Sequence, residues 1–415
     1  MKISAARIAA YEALRRIDKA RAFSSVVLQE VEATLLSNID RGLCHEIVLG
    51  VLRRQLFLDR IIDQLTGNKK LDAEVRIVLR LSLYQLLHLD RVPAYSVINE
   101  AVKLVNRAKK TSAKGLVNAV LRNASRSVPE LDYENELEHV SIETSHPEWL
   151  LKKWTHDRSA TEAYAIAKAN NEETRLAFRL TAKGRRENFE DKLCDFDRSD
   201  VVDSCFYANT DRQILRDFAD SNLIYFQDEG SQLVGSVVDL RPGDRFFDVC
   251  AAPGSKTTQI AARFDNHLLA GDISRPRLAF LHENCRAQGA DSVSVLEYDA
   301  EKTLPLEESG FDWVLLDVPC TGTGTIRSNP EIRYLLDPND VAEMSSKQLR
   351  ILENASRLLK VGGKIVYSTC SIEKEENEMV CSAFLEQNAR FSKSRPTVAE
   401  RFLTAGDFAR SHPSR

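Results

Sequence analysis

Apolar positions recur at helical spacing through the first 125 residues. Ile3, Ile8, Ala9, Tyr11, Leu14 and Ile17 open the pattern. A second helix is expected over 24–36, with Ser24 as its N-cap. A longer periodic run over 40–65 is closed by Gly67 and Asn68. Residues 71–89 carry the strongest pattern, with Ile77, Val78, Leu81, Tyr84 and Leu87 on a broad apolar face. Pro93 breaks it, and helices over 95–108 and 113–124 complete a bundle of about six.

The pattern then changes twice. Residues 126–145 are polar and acidic, which suits a linker. Another helical region follows to about 170, and 173–223 mixes a short strand (176–180) with a helix (185–194), predicting a small α+β subdomain. From Ile224 onward apolar runs alternate with amphipathic ones. Strands are predicted over 245–250, 267–273, 293–298, 313–318 and 364–368, and helices over 256–263, 276–288 and 338–359, the last with Asp337 as N-cap. This alternation predicts a parallel, doubly wound sheet covered by helices on both faces. Ligands in such sheets sit at the carboxyl ends of the strands.

A chain of 415 residues exceeds one comfortable core. Three parts are expected: an all-α bundle (1–128), a linker and small α+β subdomain (129–223), and an α/β Rossmann-like domain (224–415). No apolar run is long enough for a membrane span, and residues 1–10 lack a signal-peptide pattern, so a cytoplasmic protein is expected. The eight cysteines form no C-x-x-C pair or zinc spacing, so no metal site is expected and most should be small buried thiols. His45 and His88 are read as structural. The net charge of -4 conceals a basic front: residues 1–140 carry about 22 Lys and Arg against about 17 Asp and Glu. Doublets such as Arg15-Arg16, Arg53-Arg54, Lys69-Lys70 and Lys109-Lys110 are either solvated helix faces or a phosphate-contacting surface.

Candidate chemistry lies at the strand ends. Cys250-Ala251-Ala252-Pro253-Gly254-Ser255-Lys256 follows the first long strand and leads into a helix. Its small residues let a ligand approach the backbone closely. The P-loop pattern fails because Cys250 and Ser255 stand where glycines are required, and G-x-G-x-x-G is absent. The remaining reading is a methyltransferase-type loop for S-adenosyl-L-methionine. Asp272 ends the second strand, placed for ribose hydroxyls, and Asp299 ends the third, placed for an adenine amino group.

Asp317-Val318-Pro319-Cys320 and Ser368-Thr369-Cys370-Ser371 follow two later strands. If those strands adjoin, both cysteines share one pocket. A thiolate that adds to C6 of a pyrimidine makes C5 an enamine carbon, able to attack a sulfonium methyl group. A second thiol would assist release. The target base must leave its stack to reach the pocket.

These residues resemble the motifs of the Sun-type RNA cytosine-C5 methyltransferases. Cys250 to Lys256 resembles their motif I, Asp317 to Gly324 their motif IV, and Ser368 to Ser371 with Glu375-Glu376-Asn377-Glu378 their motif VI. The front is similar to the NusB RNA-binding fold through Val92 to Glu100 and Gly115 to Arg122. The resemblance spans nearly the whole chain. It implies Cys370 as nucleophile, Cys320 in product release, and Asp317 contacting cytosine and cofactor region. It also implies S-adenosyl-L-methionine held by Cys250, Ala251, Ala252, Pro253, Gly254, Ser255, Lys256, Asp272, Asp299 and Asp317. The implied partner is 16S ribosomal RNA, naked or in an early assembly intermediate, gripped by the basic front of a monomer. A tRNA target and a non-catalytic RNA-binding factor are the alternatives. Three departures stand out. Ser255 replaces a usual Gly and should restrict the loop slightly. Val318 replaces a small residue. The sequence after Phe402 lacks the family's closing aromatic strand, which would leave the sheet edge beside the Cys370 strand open.

Overall fold

The computed structural model describes residues 3–35, 37–208 and 212–411. Position 36, the expected end of the second helix, and tail residues 412–415 lie outside them. The chain divides into two compact units: Met1–Glu173 with Thr323–Pro338, and Thr174–Gly322 with Asn339–Pro413.

The first unit is helical. It comprises α1 (Ala5–Ala20), α2 (Ser24–Glu32), α3 (Asn38–Arg53), α4 (Gln55–Thr66), α5 (Ala73–His88), α6 (Ala94–Arg107), α7 (Lys114–Arg126), α8 (Glu136–Thr144), α9 (Glu148–Asp157) and α10 (Ala160–Ala169). The first seven helices share one core that includes Leu14, Ile47, Leu58, Leu79, Leu104 and Leu121. The single pattern over 40–65 is two helices, because the chain breaks helical geometry at Arg54 (φ -123°). Ser24 is not the N-cap of α2; Phe23 holds that position, and the Ser24 amide donates to Glu331 Oε1 at 2.8 Å. Glu331 belongs to the segment 323–338, which follows the Cys320 loop in sequence yet packs within the helical unit. Arg333 in its short helix α16 (Ile332–Leu335) is fully buried and donates to Asn171 Oδ1 and the Thr144 carbonyl.

The second unit holds two sheets. The small one has the order β2–β3–β1–β4, from β1 (Ala177–Leu180), β2 (Asp197–Arg198), β3 (Phe206–Tyr207) and β4 (Ile224–Phe226), all antiparallel. α11 (Ala182–Arg186) and α12 (Arg212–Asp220) accompany it. The expected helix over 185–194 is instead the end of α11 and a 3-10 turn, Phe189–Leu193, because Asn188 turns left-handed between them (φ 51°). The large sheet is parallel, in the order β7–β6–β5–β8–β9. Its strands are β5 (Phe246–Asp248), β6 (Leu268–Asp272), β7 (Val293–Glu297), β8 (Phe311–Asp317) and β9 (Leu359–Ser368). Helices α13 (Glu229–Val237), α14 (Ser255–Ala261), α15 (Arg275–Gln288), α17 (Asp340–Ser356) and α18 (Glu378–Gln387) connect and cover it. Asn339, not Asp337, is the N-cap residue of α17.

The strand order reverses at β5, between β6 and β8. The loop after β5 therefore sits at the topological switch point. Among the described residues β9 is an edge strand. Residues 400–411 form a 3-10 turn and one isolated bridge, Leu403 to Ala409, tied back by Arg410 to Glu378 at 2.7 Å. Lys360 and Lys364 lie on this edge strand, which disfavours pairing with another chain.

Candidate functional site

The loop after β5 is built for close approach. Its backbone is held by Val249 N–H to the Leu315 carbonyl and Ala251 N–H to the Gly271 carbonyl. Gly254 has φ 101°, and a Cβ there would stand 2.5 Å from Leu281 Cδ1, so both conformation and space require glycine. Ser255 is already the first residue of α14 and needs no glycine geometry. The departure expected to restrict the loop is thus accommodated in ordinary helical backbone. Ala251 and Ala252 are buried, and burial pushes the Cys250 thiol far above its usual range.

Four adjacent strand ends, those of β7, β6, β5 and β8, carry the expected cofactor residues. Asp272, at the end of β6, is buried and accepts from the Ala252 amide (3.3 Å) and the Ser274 amide (2.9 Å). Arg277 spans this region: Nη1 lies 3.4 Å from Asp272 Oδ2, and Nη2 donates to the Ala252 carbonyl. Asp299, just beyond β7, accepts from the Glu301 amide and pairs with Lys302 at 3.2 Å, which hold its carboxyl below the usual range. Lys256 turns from the first turn of α14 to Asp317 at the end of β8, with Nζ 2.7 Å from Oδ2. Burial opposes the ammonium charge, but Asp317 outweighs it and holds Lys256 above its ordinary value. Ser368 donates to the other Asp317 oxygen at 2.9 Å.

The two cysteines meet. β8 and β9 are parallel neighbours in register from Trp313–Lys364 to Asp317–Ser368. Cys320 and Cys370 follow them, and their Sγ atoms are 3.1 Å apart. That is far longer than a disulfide bond and short enough for an S–H donor. The Cys370 amide also points at Cys320 Sγ, at 3.3 Å. Cys370 is exposed and Cys320 half-buried. The Cys320 hydrogen bond lowers the Cys370 thiol, and Lys256 favours its thiolate against Asp317. The same shared proton, with burial, raises Cys320. The contact thus separates the two thiols, Cys370 shifted down and Cys320 shifted up.

Residues that the strand-end pattern left without a role hold this arrangement. Glu376 is fully buried; its carboxylate accepts from the Thr321 amide (2.8 Å), the Thr321 hydroxyl and Gln348 Nε2 (2.9 Å). Gln348 also donates to the Pro319 carbonyl at 2.9 Å. Asn377 donates to the Ser371 and Glu373 carbonyls and accepts from Thr369. A carboxylate six residues past Cys370 thus fixes the loop of Cys320. Gln348 carries no sequence signal, since it falls within an ordinary helical repeat. Asp248 is 1% exposed, and burial pushes its carboxyl to about 7; Thr257 donates to Oδ2, while Oδ1 has no partner among the described residues.

Arg179 on β1 is also 1% exposed. It donates to Gln227 Oε1 (2.6 Å), the Ser255 carbonyl (2.9 Å) and Thr258 Oγ1 (2.9 Å), tying the small sheet to the first turn of α14. Burial brings its guanidinium down to about 9.

Residues 236–410 match the family model of the 16S rRNA methyltransferase RsmB/F, and residues 4–126 match the NusB family. The chain is 30% identical to the probable ribosomal RNA small subunit methyltransferase B of Bacillus subtilis (strain 168), over 94% of this chain and 90% of that protein. It is 33% identical to ribosomal RNA small subunit methyltransferase B of Pseudomonas syringae pv. tomato, over 92% and 87%. The crystal structure of PH0851 superposes with a TM-score of 0.83 at 26% identity, covering 100% of this chain and 96% of that one. A crystal structure of a methyltransferase homologue from Pyrococcus horikoshii gives a TM-score of 0.52 at 27% identity, over 61% and 83%. No helix among the described residues is long and apolar enough to cross a membrane. The small-residue loop at the switch point and the acidic strand ends fit S-adenosylmethionine, and the chain belongs to the RsmB/F methyltransferase family, S-adenosylmethionine-dependent and carrying a NusB domain at its front.

Proposed function

We propose that this protein methylates C5 of a cytosine in 16S ribosomal RNA, with Cys370 as nucleophile and Cys320 assisting release. The 3.1 Å approach of the two sulfurs carries the reading, because it pairs one lowered thiol with one raised thiol. The Cys370 thiolate forms a bond to C6 of the cytosine, and the ring electrons move to C5. Bound S-adenosylmethionine supplies the electrophilic methyl group. Loss of the C5 proton then expels Cys370 and restores the aromatic ring, with Cys320 beside the departing sulfur. Asp317, held by Lys256 and Ser368, lies between the cofactor loop and the cysteines and would contact both cytosine and cofactor. The loop from Cys250 to Lys256, with Asp272 and Asp299, would hold the cofactor. Arg277 would move off Asp272 as the ribose hydroxyls arrive.

The test uses two variants and deproteinised 16S RNA. Cys370→Ala should abolish both methyl transfer and covalent adducts. Cys320→Ala should accumulate a protein–RNA adduct that survives a denaturing gel. Adducts formed by Cys370→Ala would refute the nucleophile assignment. Mapping methylated cytosines in RNA from cells with and without the gene separates a 16S target from a tRNA target.

A further inference from the structure

The basic residues of the helical unit are not equally available. On α1, Arg7 is buried against Glu100 at 2.8 Å, Arg15 pairs with Glu12 at 2.9 Å, and Arg16 pairs with Glu30 at 2.5 Å. On α4 and α5, Arg60 pairs with Glu138, Arg76 with Asp59 and Asp63, and Arg80 with Asp59. Much of the charge on these helices is answered within the unit itself.

The α6–α7 hairpin differs. Residues 94–126 contain seven Lys and Arg (Lys103, Arg107, Lys109, Lys110, Lys114, Arg122 and Arg126) and one carboxylate, Glu100. Glu100 faces inward, 4% exposed, and is taken by Arg7. Arg107 and Lys110 have carboxylate partners, Glu12 and Asp72. Lys109, Lys114, Arg122 and Arg126 have no carboxylate partner among the described residues. On α7, Lys114, Asn118, Arg122 and Arg126 fall at successive i, i+4 positions and share one side. Val117, Val120, Leu121 and Ala124 bury the other. Each step of four residues advances about 6 Å, comparable to the separation of neighbouring phosphates along one strand. The short connection makes α6 and α7 antiparallel neighbours. The first turn of α6, with Tyr95 71% exposed, therefore shares an end of the hairpin with Arg122 and Arg126.

We propose that the α6–α7 hairpin is the surface that grips the RNA backbone: Lys109, Lys114, Arg122 and Arg126 contact phosphates of one strand, and Tyr95 stacks on an unpaired base. This rests on the RNA reading above. The outward side of α7 offers small and polar residues (Gly115, Ala119, Asn123 and Ser125) between its cations and lacks the large apolar anchors of a protein interface. That composition favours a phosphate backbone over an acidic protein.

The experiment measures equilibrium binding of the full chain to a deproteinised small-subunit ribosomal RNA transcript at several salt concentrations. The variants are K114Q/R122Q/R126Q, the charge-preserving K114R/R122K/R126K, and the comparator K69Q/K70Q. The neutral triple variant should bind at least about tenfold more weakly, with a log–log salt slope reduced by about 2. The charge-preserving variant should bind like the parent, which separates charge from misfolding. Tyr95→Ala should weaken binding with the slope unchanged, and Tyr95→Phe should not. S-adenosylmethionine affinity should stay constant throughout. An unchanged affinity and slope in the neutral triple variant, or an equal loss in K69Q/K70Q, overturns the assignment. If the parent transfers no methyl group to the transcript while binding still depends on the hairpin, the catalytic reading fails and the surface stands. If the parent methylates while the salt slope ignores the hairpin, the surface fails alone.

Discussion

Two buried arginines differ in the way their charge is neutralised. In the helical unit, Arg7 meets Glu100 at 2.8 Å and Gln85 at 2.7 Å, and Glu100 also accepts from the Ser4 amide. Burial disfavours this carboxylate, but the Ser4 amide and Arg7 hold it below its usual range. The pair is complete within the fold. In the sheet unit, Arg179 is as deeply buried, yet every acceptor it has among the described residues is neutral. Beside the same loop, Asp248 has one carboxylate oxygen unpartnered among the described residues, and Lys256, Asp317 and the cysteines form a charged row. Arg7 and Glu100 are a closed pair inside the helix bundle. Arg179 and Asp248 have no such partner among the described residues, and both lie beside the loop after β5, the candidate cofactor site.

That contrast can be broken by substitution. Lys256→Met removes the cation that pairs with Asp317 and favours ionisation of Cys370, so turnover should fall by about 10²-fold or more in single-turnover methyl transfer. Retained turnover would mean that the charged row is structural only. Glu100→Ala strands Arg7 and should cost about 3–5 kcal/mol of stability in a denaturant titration, with cofactor affinity unchanged. Arg179→Met should weaken cofactor binding by about tenfold through the first turn of α14, with a smaller effect on turnover at saturating cofactor. Arg179→Lys should recover only part, because one ammonium cannot reach all the acceptors a guanidinium spans.

The smallest effect is in pH. The Asp248 carboxyl is raised to about 7 by burial, so the folded state holds a proton that the unfolded chain releases near pH 4. Stability of the cofactor-free protein should therefore fall as pH rises from about 4 to about 7, and Asp248→Asn should flatten that part of the curve. Glu100 works in the opposite sense: its stabilisation is present above the unfolded carboxylate pKa and is lost as pH drops through its lowered folded value.

Much of the architecture could be read from patterning. The 3.6-residue period gave the bundle, and the β/α alternation gave the parallel sheet, because both are local consequences of burying one face. Boundaries at Arg54, Ser24 and Asn339 could not be read so, since backbone breaks and caps depend on what the neighbouring segment supplies. Ser24, a fair N-cap by type, is instead answered by a carboxylate 307 residues away.

The candidate site follows the same division. Sequence by itself singled out the candidate side chains: a loop of small residues, acidic strand ends and two cysteines after strands. Only the tertiary structure decided that β8 and β9 are neighbours, that the sulfurs stand 3.1 Å apart, that Glu376 and Gln348 hold the Cys320 loop, and that Arg179 holds the first turn of α14. The reason is physical. Reactivity belongs to a residue type, whereas proximity, desolvation and a shared proton depend on chain segments that only folding brings together.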